Sequence, residues 1–309
     1  MKRRLLPILM TLVLVCALPI WAAFVTSGDV TNPLVCTAGA TELNLQGMID
    51  RANAGDTIKL SSNTEVHATL QITKNLTLDL NGCTLRMTGT GSVLKVHNGA
   101  TLTITDSRPQ NPHTGSYEDL PAGGVITGGE GTNVTGIYYV GGAVFLENDT
   151  TLKLEGGTIT ENSSSGGSVF ISGEKAVFEM SGGTITGETV GVRNNVGTFT
   201  MTGGRITGCS DRGVYMFNGS MTMSGTAYIG GNPGAGEDIY VREPVHKHTD
   251  LSVTGGTVEG NVRIEFGANL GMTQESLKPV ANSVVKEQGV FDMPVKHPLL
   301  FHNGISHWF

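Results

Sequence analysis

The 309-residue sequence predicts an all-β protein, a single-stranded right-handed parallel β-helix with a short N-terminal capping helix. Three observations carry this prediction. A short segment recurs with a period slightly above 20 residues, apolar and polar residues alternate within each copy, and glycine is abundant, with 44 Gly against only 6% aromatic residues. The chain is also too apolar to be disordered, because its hydrophobic residues make up 39% of the total.

The repeat is clearest in residues 178–186 (FEMSGGTIT) and 199–207 (FTMTGGRIT), and shorter copies occupy 152–160, 221–229 and 251–258. The first glycine of each turn falls at positions 156, 182, 203, 225 and 255. This period is too short for a repeat of two helices, and it fits one coil of a solenoid built from three short strands. Extra residues in the longer coils are expected to form protruding loops.

Alternation within each copy places one set of side chains inside the solenoid and the other outside. In 199–202 the order is Phe-Thr-Met-Thr, which is the period of two expected for a strand. Stacked coils would bury the inner row together. The Gly-Gly pairs supply the positive φ at which the chain changes sheet. Five asparagines are also placed at turns, where Asn tolerates the left-handed region: Asn81, Asn98, Asn148, Asn162 and Asn218.

The N-terminal end of the solenoid is predicted to be covered by a helix over about 43–53. Thr41 can cap its start, Gly55 ends it, and residues 56–60 begin a strand. One face of this helix is apolar and carries Leu45, Met48, Ile49 and Ala52. Such a plug protects an open sheet edge from pairing with other chains.

Residues 1–23 are predicted to be a Sec signal peptide of a secreted or cell-surface bacterial protein. Residues 2–4 are basic, 5–20 are apolar, and Ala22 and Ala23 offer a cleavage site. A membrane anchor fits less well because Pro7 and Pro19 interrupt the apolar run. A lipoprotein at Cys16 is rejected because Val15 is a poor residue before a lipidated cysteine. Cleavage would leave 27 acidic and 17 basic side chains, a net charge of −10, which argues against nucleic acid and anionic membranes as partners.

Residues 42–60 resemble the N-terminal cap of the pectate-lyase-like right-handed β-helix superfamily. Residues 76–85 (LTLDLNGCTL), 100–107 (ATLTITDS) and the GGTIT coils are similar to secreted, adhesin-like β-helix proteins of gut Firmicutes. The resemblance covers about residues 40–266 and implies the fold, which hosts lyases, hydrolases, tailspikes and adhesins. The expected organisation is an N-terminal segment with the capping helix (24–60), the β-helix (61–269), and residues 270–309 as a cap, a docking tail or the remnant of a longer protein.

Catalysis is not predicted. The resemblance implies that an enzyme of this fold would need clustered Asp or Glu for calcium with an Arg or Lys base, or paired Asp with Gly-His-Gly and Arg-Ile-Lys segments, and those segments are missing. No metal or cofactor is expected, and Cys36, Cys83 and Cys209 allow at most one disulfide. The acidic candidates are explained more simply as solvated surface groups: Asp79, Asp106, Glu155, Glu179 and Asp211. The alternative is a polysaccharide lyase or glycoside hydrolase acting on acidic polysaccharide.

One outward column is the candidate binding site. Aligned strands place one outward residue per coil between two inward apolar residues: Phe145, Phe170, Arg193, Tyr215 and Tyr240, with Lys95 in an earlier coil. Such a column could contact an extracellular polysaccharide or a host or bacterial surface glycan, in binding or adhesion. Self-stacking of the column, or cover by an inserted loop such as 105–135, needs no ligand and is the simpler explanation. Ice binding is disfavoured because the outward column at 153, 179, 200 and 222 mixes Lys and Glu with Thr.

Overall fold

The computed structural model describes residues 34–36, 42–134, 139–233, 237–242, 249–265, 299–302 and 305–308. Backbone contacts divide the chain into Met1–Asn32 and Pro33–Phe309, and every described residue belongs to the second unit. The predicted signal peptide (1–23) and the predicted helix cap at Thr41 therefore lie outside the described residues. None of the helices in the described ranges has the length and apolar character that a membrane span requires.

Three parallel sheets wind into a β-helix, so the predicted fold class is confirmed. Strands are numbered in chain order. Sheet 1 contains β1 (Leu34–Cys36), β2 (Thr57–Leu60), β5 (Leu76–Asp79), β8 (Thr101–Thr105), β13 (Thr151–Leu154), β16 (Val177–Met180), β19 (Thr198–Met201), β22 (Gly219–Met223) and β25 (Thr249–Val253). Sheet 2 contains β3 (Thr64–Val66), β6 (Thr84–Met87), β9 (Val125–Thr127), β14 (Thr158–Thr160), β17 (Thr184–Thr186), β20 (Arg205–Thr207), β23 (Tyr228–Ile229) and β26 (Thr257–Val258). Sheet 3 contains β4 (Leu70–Ile72), β7 (Leu94–Val96), β12 (Val144–Leu146), β15 (Val169–Ile171), β18 (Val190–Asn194), β21 (Arg212–Met216), β24 (Glu237–Arg242) and β27 (Asn261–Glu265).

Each coil contributes one strand to each sheet, and we number the coils 1 to 8 from β2–β3–β4 to β25–β26–β27. Coil 3 is the longest because two insertions interrupt it. The first, residues 106–124, contains a 3-10 helix at Gly115–Tyr117 and leads into β9. The second, residues 128–143, contains an antiparallel hairpin of β10 (Thr132–Asn133) and β11 (Tyr139–Val140).

Inward residues stack coil on coil to form one continuous core. Phe178 lies beside Phe199 in register, with ring centroids 4.8 Å apart and planes 8° apart. Sheet 2 contributes an isoleucine column that includes Ile159, Ile185 and Ile206, all fully buried. The predicted alternation therefore places the apolar set inside, and parallel pairing satisfies the backbone between coils.

The turn at Gly182 and Gly183, between sheets 1 and 2, requires both glycines. The second glycine has positive φ, for example 70° at Gly183, as predicted. The first is needed for space, since a Cβ added to Gly182 would lie 2.1 Å from the Glu155 carbonyl oxygen. All five asparagines lie at or beside turns, but only two of them, Asn81 and Asn98, adopt positive φ. Near the other three, the left-handed residue is the neighbouring Asp149, Glu161 or Gly219.

Helix α1 (Glu42–Arg51) covers the N-terminal end, as predicted, and buries Leu45 and Ile49 completely or nearly so. Its Gln46 side chain also replaces a missing strand beside β4. The Gln46 Oε1 accepts a bond from the Gln71 backbone N–H at 2.8 Å, and the Gln46 Nε2 donates to the Gln71 carbonyl at 3.2 Å. One side-chain amide thus satisfies both backbone groups that this sheet edge would otherwise leave open.

A second antiparallel hairpin, β28 (Leu299–His302) with β29 (Ile305–Trp308), lies within the region 270–309. The described strands of the β-helix end at Glu265, and 266–298 lie outside the described residues. Which of the three predicted roles this region has stays open.

Candidate functional site

The predicted outward column exists as one row on sheet 3. Register pairs connect Lys95 to Phe145, Phe145 to Phe170, and so on through coil 8, giving Lys95, Phe145, Phe170, Arg193, Tyr215, Tyr240 and Arg263. The flanking residues point inward and are fully buried, as Val144 and Leu146 are beside Phe145. Sequence alignment of the repeat missed both ends of the row, Gln71 in coil 1 and Arg263 in coil 8.

The N-terminal part of the column is covered. Phe145 and Phe170 stack with centroids 5.6 Å apart and planes 10° apart, and each is only 5% exposed. Val140 of β11 packs over both rings, so the cover comes from the second insertion. A loop cover was one of the two structural explanations predicted for the column, although the suggested range of 105–135 stops short of Val140.

Arginines and tyrosines interleave in the C-terminal part of the column. The Arg193 guanidinium lies 5.8 Å from the Phe170 centroid and 4.9 Å from the Tyr215 centroid. Tyr215 then stacks at 5.1 Å on Tyr240, which has Arg263 at 5.6 Å. Arg193 and Tyr215 are half-buried, whereas Tyr240 is 6% exposed.

An ion-pair network borders these rings. The Arg212 guanidinium donates to Glu237 at 2.8 Å and to Asp211 at 2.6 Å, and it lies 4.3 Å from the Tyr240 centroid. The second oxygen of Glu237 accepts from Arg263 at 2.8 Å. Because Glu237 is nearly fully buried, its charge is balanced within the network by two arginines.

The stacking direction decides what this face can do. Every ring of the column, from Phe145 to Tyr240, has a ring or a cation over it from the next coil. A sugar therefore cannot lie flat on these rings without displacing a neighbour. Among the five predicted contact residues, Arg193 and Tyr215 have accessible outer edges, which offer hydrogen bonds rather than a stacking platform.

The acidic candidates are distributed over the fold rather than gathered at one centre. Asp79 and Asp106 are bound to backbone N–H groups around the first insertion. Glu179 pairs with Lys153 at 3.0 Å on the outside of sheet 1. Glu155 is exposed, and Asp211 belongs to the network around Arg212. In the described ranges, no three His, Cys, Asp or Glu side chains are arranged to hold a metal ion.

Sequence reasoning missed Glu188, a buried carboxyl at the corner between sheets 2 and 3. It is 2% exposed and accepts two bonds from Asn162, one from the backbone N–H at 3.1 Å and one from Nδ2 at 3.0 Å. Burial raises the pKa of Glu188 to about 7, although the hydrogen bonds from Asn162 act in the opposite direction. The sequence signal was positional, because Asn162, Glu188, Cys209 and Asn232 each follow a sheet 2 strand at the same distance.

The cysteines form no bridge in the described part of the chain. Cys83 and Cys209 are both buried free thiols. Burial raises the pKa of each, that of Cys209 to about 12. Neither thiol is therefore poised as a nucleophile.

No known protein family, curated protein or solved structure matches this chain.

Proposed function

We propose that this is a secreted or cell-surface protein that binds an extracellular polysaccharide, or a host or bacterial surface glycan, in adhesion, without catalysing a reaction on it. The supporting observation is the row on sheet 3, which places one outward residue on each coil. A rise of about 4.8 Å per coil is close to the length of one sugar in an extended glycan. A chain lying along the solenoid axis would meet a new outward residue at each coil.

The predicted contact residues have two different roles in this proposal. Arg193 and Tyr215 are half-buried and present hydrogen-bonding edges, so they are the proposed contacts. Phe145, Phe170 and Tyr240 belong to the same row but are almost fully buried, and they pack against Arg193 and Tyr215 or against each other. Their own contact with a glycan stays a prediction. Each contact on an open face is weak, so affinity would come from several coils acting together.

The finer assignment is also a proposal. The N-terminal cap, the GGTIT coils and the observed parallel β-helix favour membership of the pectate-lyase-like superfamily, close to the adhesin-like proteins of gut Firmicutes. Export rests on residues 1–23, and amino-terminal sequencing of the chain recovered from the medium of an expressing bacterium is expected to begin at residue 24. A start at Met1 would remove the support for secretion.

A glycan array with matched variants tests the binding proposal. The combined change Arg193→Gln and Tyr215→Phe removes the charged guanidinium and the phenol hydroxyl while leaving most of the stacked surface. We expect it to weaken glycan binding at least tenfold, because hydrogen bonds to a charged group contribute about 1.5–3 kcal/mol. The matched control is Arg205→Gln with Tyr228→Phe, an arginine 3.7 Å over a tyrosine ring on sheet 2. The control should bind normally.

Two outcomes would contradict the proposal. If no glycan binds the wild-type protein, the proposed function is wrong. If both double variants bind glycan as well as the wild type does, the sheet 3 row has a structural role only. Incubating the wild-type protein with polygalacturonate, alginate and glycosaminoglycans, with and without calcium, tests for catalysis. Unsaturated or reducing sugar appearing in proportion to protein would favour the lyase or hydrolase alternative.

A further inference from the structure

The second insertion is held to the solenoid by a narrow neck. The hairpin itself has only two residue pairs, Thr132 with Val140 and Asn133 with Tyr139. At the neck, Gly129 and Gly142 are in such close contact that a Cβ on Gly129 would lie 1.9 Å from the Gly142 oxygen. A two-stranded hairpin of this size has little stability of its own. Its position over the sheet 3 row therefore depends on its bonds to the neighbouring coils. Coil 2 contributes the Gly91 carbonyl, which accepts the N–H groups of Glu130 and Gly131, and the Ser92 hydroxyl, which is bonded to Thr132 and Val140.

Coil 4 holds the neck from below. The Asn162 Oδ1 accepts a hydrogen bond from the Gly129 N–H at 2.9 Å, and the Ser163 N–H donates to the Gly129 carbonyl at 2.9 Å. On the hairpin side, the Tyr139 carbonyl accepts bonds from the Gly166 N–H and the Ser164 hydroxyl. Asn162 is itself almost fully buried, so its orientation is set by protein groups.

Glu188 of coil 5 fixes Asn162 in turn. Its carboxyl accepts hydrogen bonds from both the backbone N–H and the side-chain N–H of Asn162. The Asn162 Oδ1 in turn accepts the hydrogen bond from the Gly129 N–H. The charged or titratable groups that act on Glu188 are Glu161 from coil 4, whose charge raises the pKa of Glu188 further, and Cys209 from coil 6. Both are acidic types. Ionised Glu188 therefore sits where water is excluded and where the nearby titratable groups do not compensate its charge.

We propose that Glu188, acting through Asn162 and Gly129, makes the hold on the β10–β11 hairpin pH-dependent. In acid the neck is closed and Val140 covers Phe145 and Phe170. Ionisation strengthens the two bonds that Glu188 accepts from Asn162, but the cost of burying the charge is larger. The ionised form therefore favours an open neck that lets water reach the carboxylate. The device would change how much of the sheet 3 row is exposed, and it does not require that the row bind a glycan.

The difference in pKa between the closed and open forms fixes the direction in which pH changes closure of the neck, and the pH range over which it does so. The pKa of Glu188 is about 7 in the closed form and 4.5 for the ordinary carboxyl. The closed form binds the extra proton between these two values, so closure is most favoured below pH 4.5 and weakens as the pH rises to about 7. Opening should increase about tenfold per pH unit within this range, by a hundredfold or more in all.

Hydrogen exchange measured by mass spectrometry tests this from pH 5 to 8, with rates corrected for the intrinsic effect of pH. In the wild type, corrected exchange of 128–134 and 139–142 is expected to rise as the pH approaches 7, while 198–207 in the core stays constant. Glu188→Gln should abolish the rise, because a neutral amide replaces the titrating carboxyl. Glu161→Gln, which leaves Glu188 in place, is the matched control. It should retain the rise, shifted to lower pH because the Glu161 charge no longer raises the pKa of Glu188.

A flat wild-type profile, or the same rise in the Glu188→Gln protein, would overturn the proposal. Should Glu188→Gln fail to fold, Asn162→Ala is the second variant, because it removes the side chain that connects Glu188 to the Gly129 N–H by hydrogen bonds. It is expected to expose the hairpin amides at every pH and to increase binding of an apolar dye to the uncovered phenylalanines. Unchanged hairpin protection with the wild-type pH profile in Asn162→Ala would equally reject the role of these hydrogen bonds.

Discussion

Single carboxylates in this chain are fixed by the backbone of a neighbouring coil. The Asp106 carboxylate accepts N–H bonds from Gly82 at 2.7 Å and from Gly124 at 2.6 Å. Asp79 accepts the N–H groups of Asn81 and Ser107, each at 2.9 Å, and its other oxygen lies 3.3 Å from the Lys59 ammonium. These two residues anchor both ends of the first insertion, which explains why acidic residues occur here without forming a catalytic pair.

Asp79 should make the protein acid-sensitive. Burial alone would raise its pKa, but bonds from Ser107 and Asn81 and the charge of Lys59 outweigh that effect and lower the pKa below 3.8. The ionised form therefore stabilises the fold above pH 3.8, and this contribution is lost as the pH falls through the lower, folded-state pKa. We expect Asp79→Asn to lower the free energy of unfolding at pH 7 by about 1–3 kcal/mol and to reduce the loss below pH 4.

Urea unfolding between pH 2.5 and 7 measures both effects. Glu155→Gln, an exposed acidic residue beside a sheet 1 strand, is the control and should follow the wild-type curve. If Asp79→Asn loses stability in acid in parallel with the wild type, Asp79 does not carry the acid sensitivity.

The strands could be predicted because one short pattern sets both their register and their inward face. Alignment of the GGTIT segments predicts one row for Phe145, Phe170, Arg193, Tyr215 and Tyr240, and the register pairs agree. The exposure of that row could not be predicted, because it depends on Val140 in an insertion that belongs to no repeat. Self-stacking along the row is expected from the sequence, but the pairs of rings that meet depend on side-chain rotamers, which the repeat pattern does not give.

Glycines in different elements should respond in opposite ways to the same substitution. In helix α1, a Cβ on Gly47 would meet nothing within 4 Å, so Gly47→Ala is expected to stabilise the protein by up to about 1 kcal/mol through helix propensity. In the sheet 1 to sheet 2 turn, Gly182→Ala would force a Cβ against the Glu155 carbonyl and should cost about 1–3 kcal/mol. Urea midpoints of the two variants give the comparison, and a Gly182→Ala protein as stable as the wild type would show that the turn can relax.

The whole solenoid has a core that continues from coil to coil, and this bears on how it unfolds. The inward columns of the described coils are mainly apolar, and the stacked pair Phe178 and Phe199 lies in the middle. Sheet 3 has one polar position in its inward column, Asn194, whose side chain is bonded to the backbone of Gly197 and to the Ser220 carbonyl. Apart from the first insertion, which also contacts coil 1, each coil packs on its immediate neighbours, so the interfaces between coils carry most of the stability. An early loss of one coil would expose the apolar columns of two others. We therefore expect the coils to unfold together.

Two native thiols report on this expectation. Cys83 lies in the turn after β5 of coil 2, and Cys209 lies in the turn after β20 of coil 6, so they sample distant parts of the solenoid. Both are buried, and burial raises the pKa of each thiol. Neither should react with iodoacetamide in the native protein.

In a urea series, pulsed alkylation followed by peptide mapping should show the same midpoint for both cysteines, because one cooperative transition exposes them together. Reaction of Cys209 at clearly lower urea than Cys83 would instead mean that the C-terminal coils unfold first, and the row from Arg193 to Arg263 would then belong to the less stable part of the molecule.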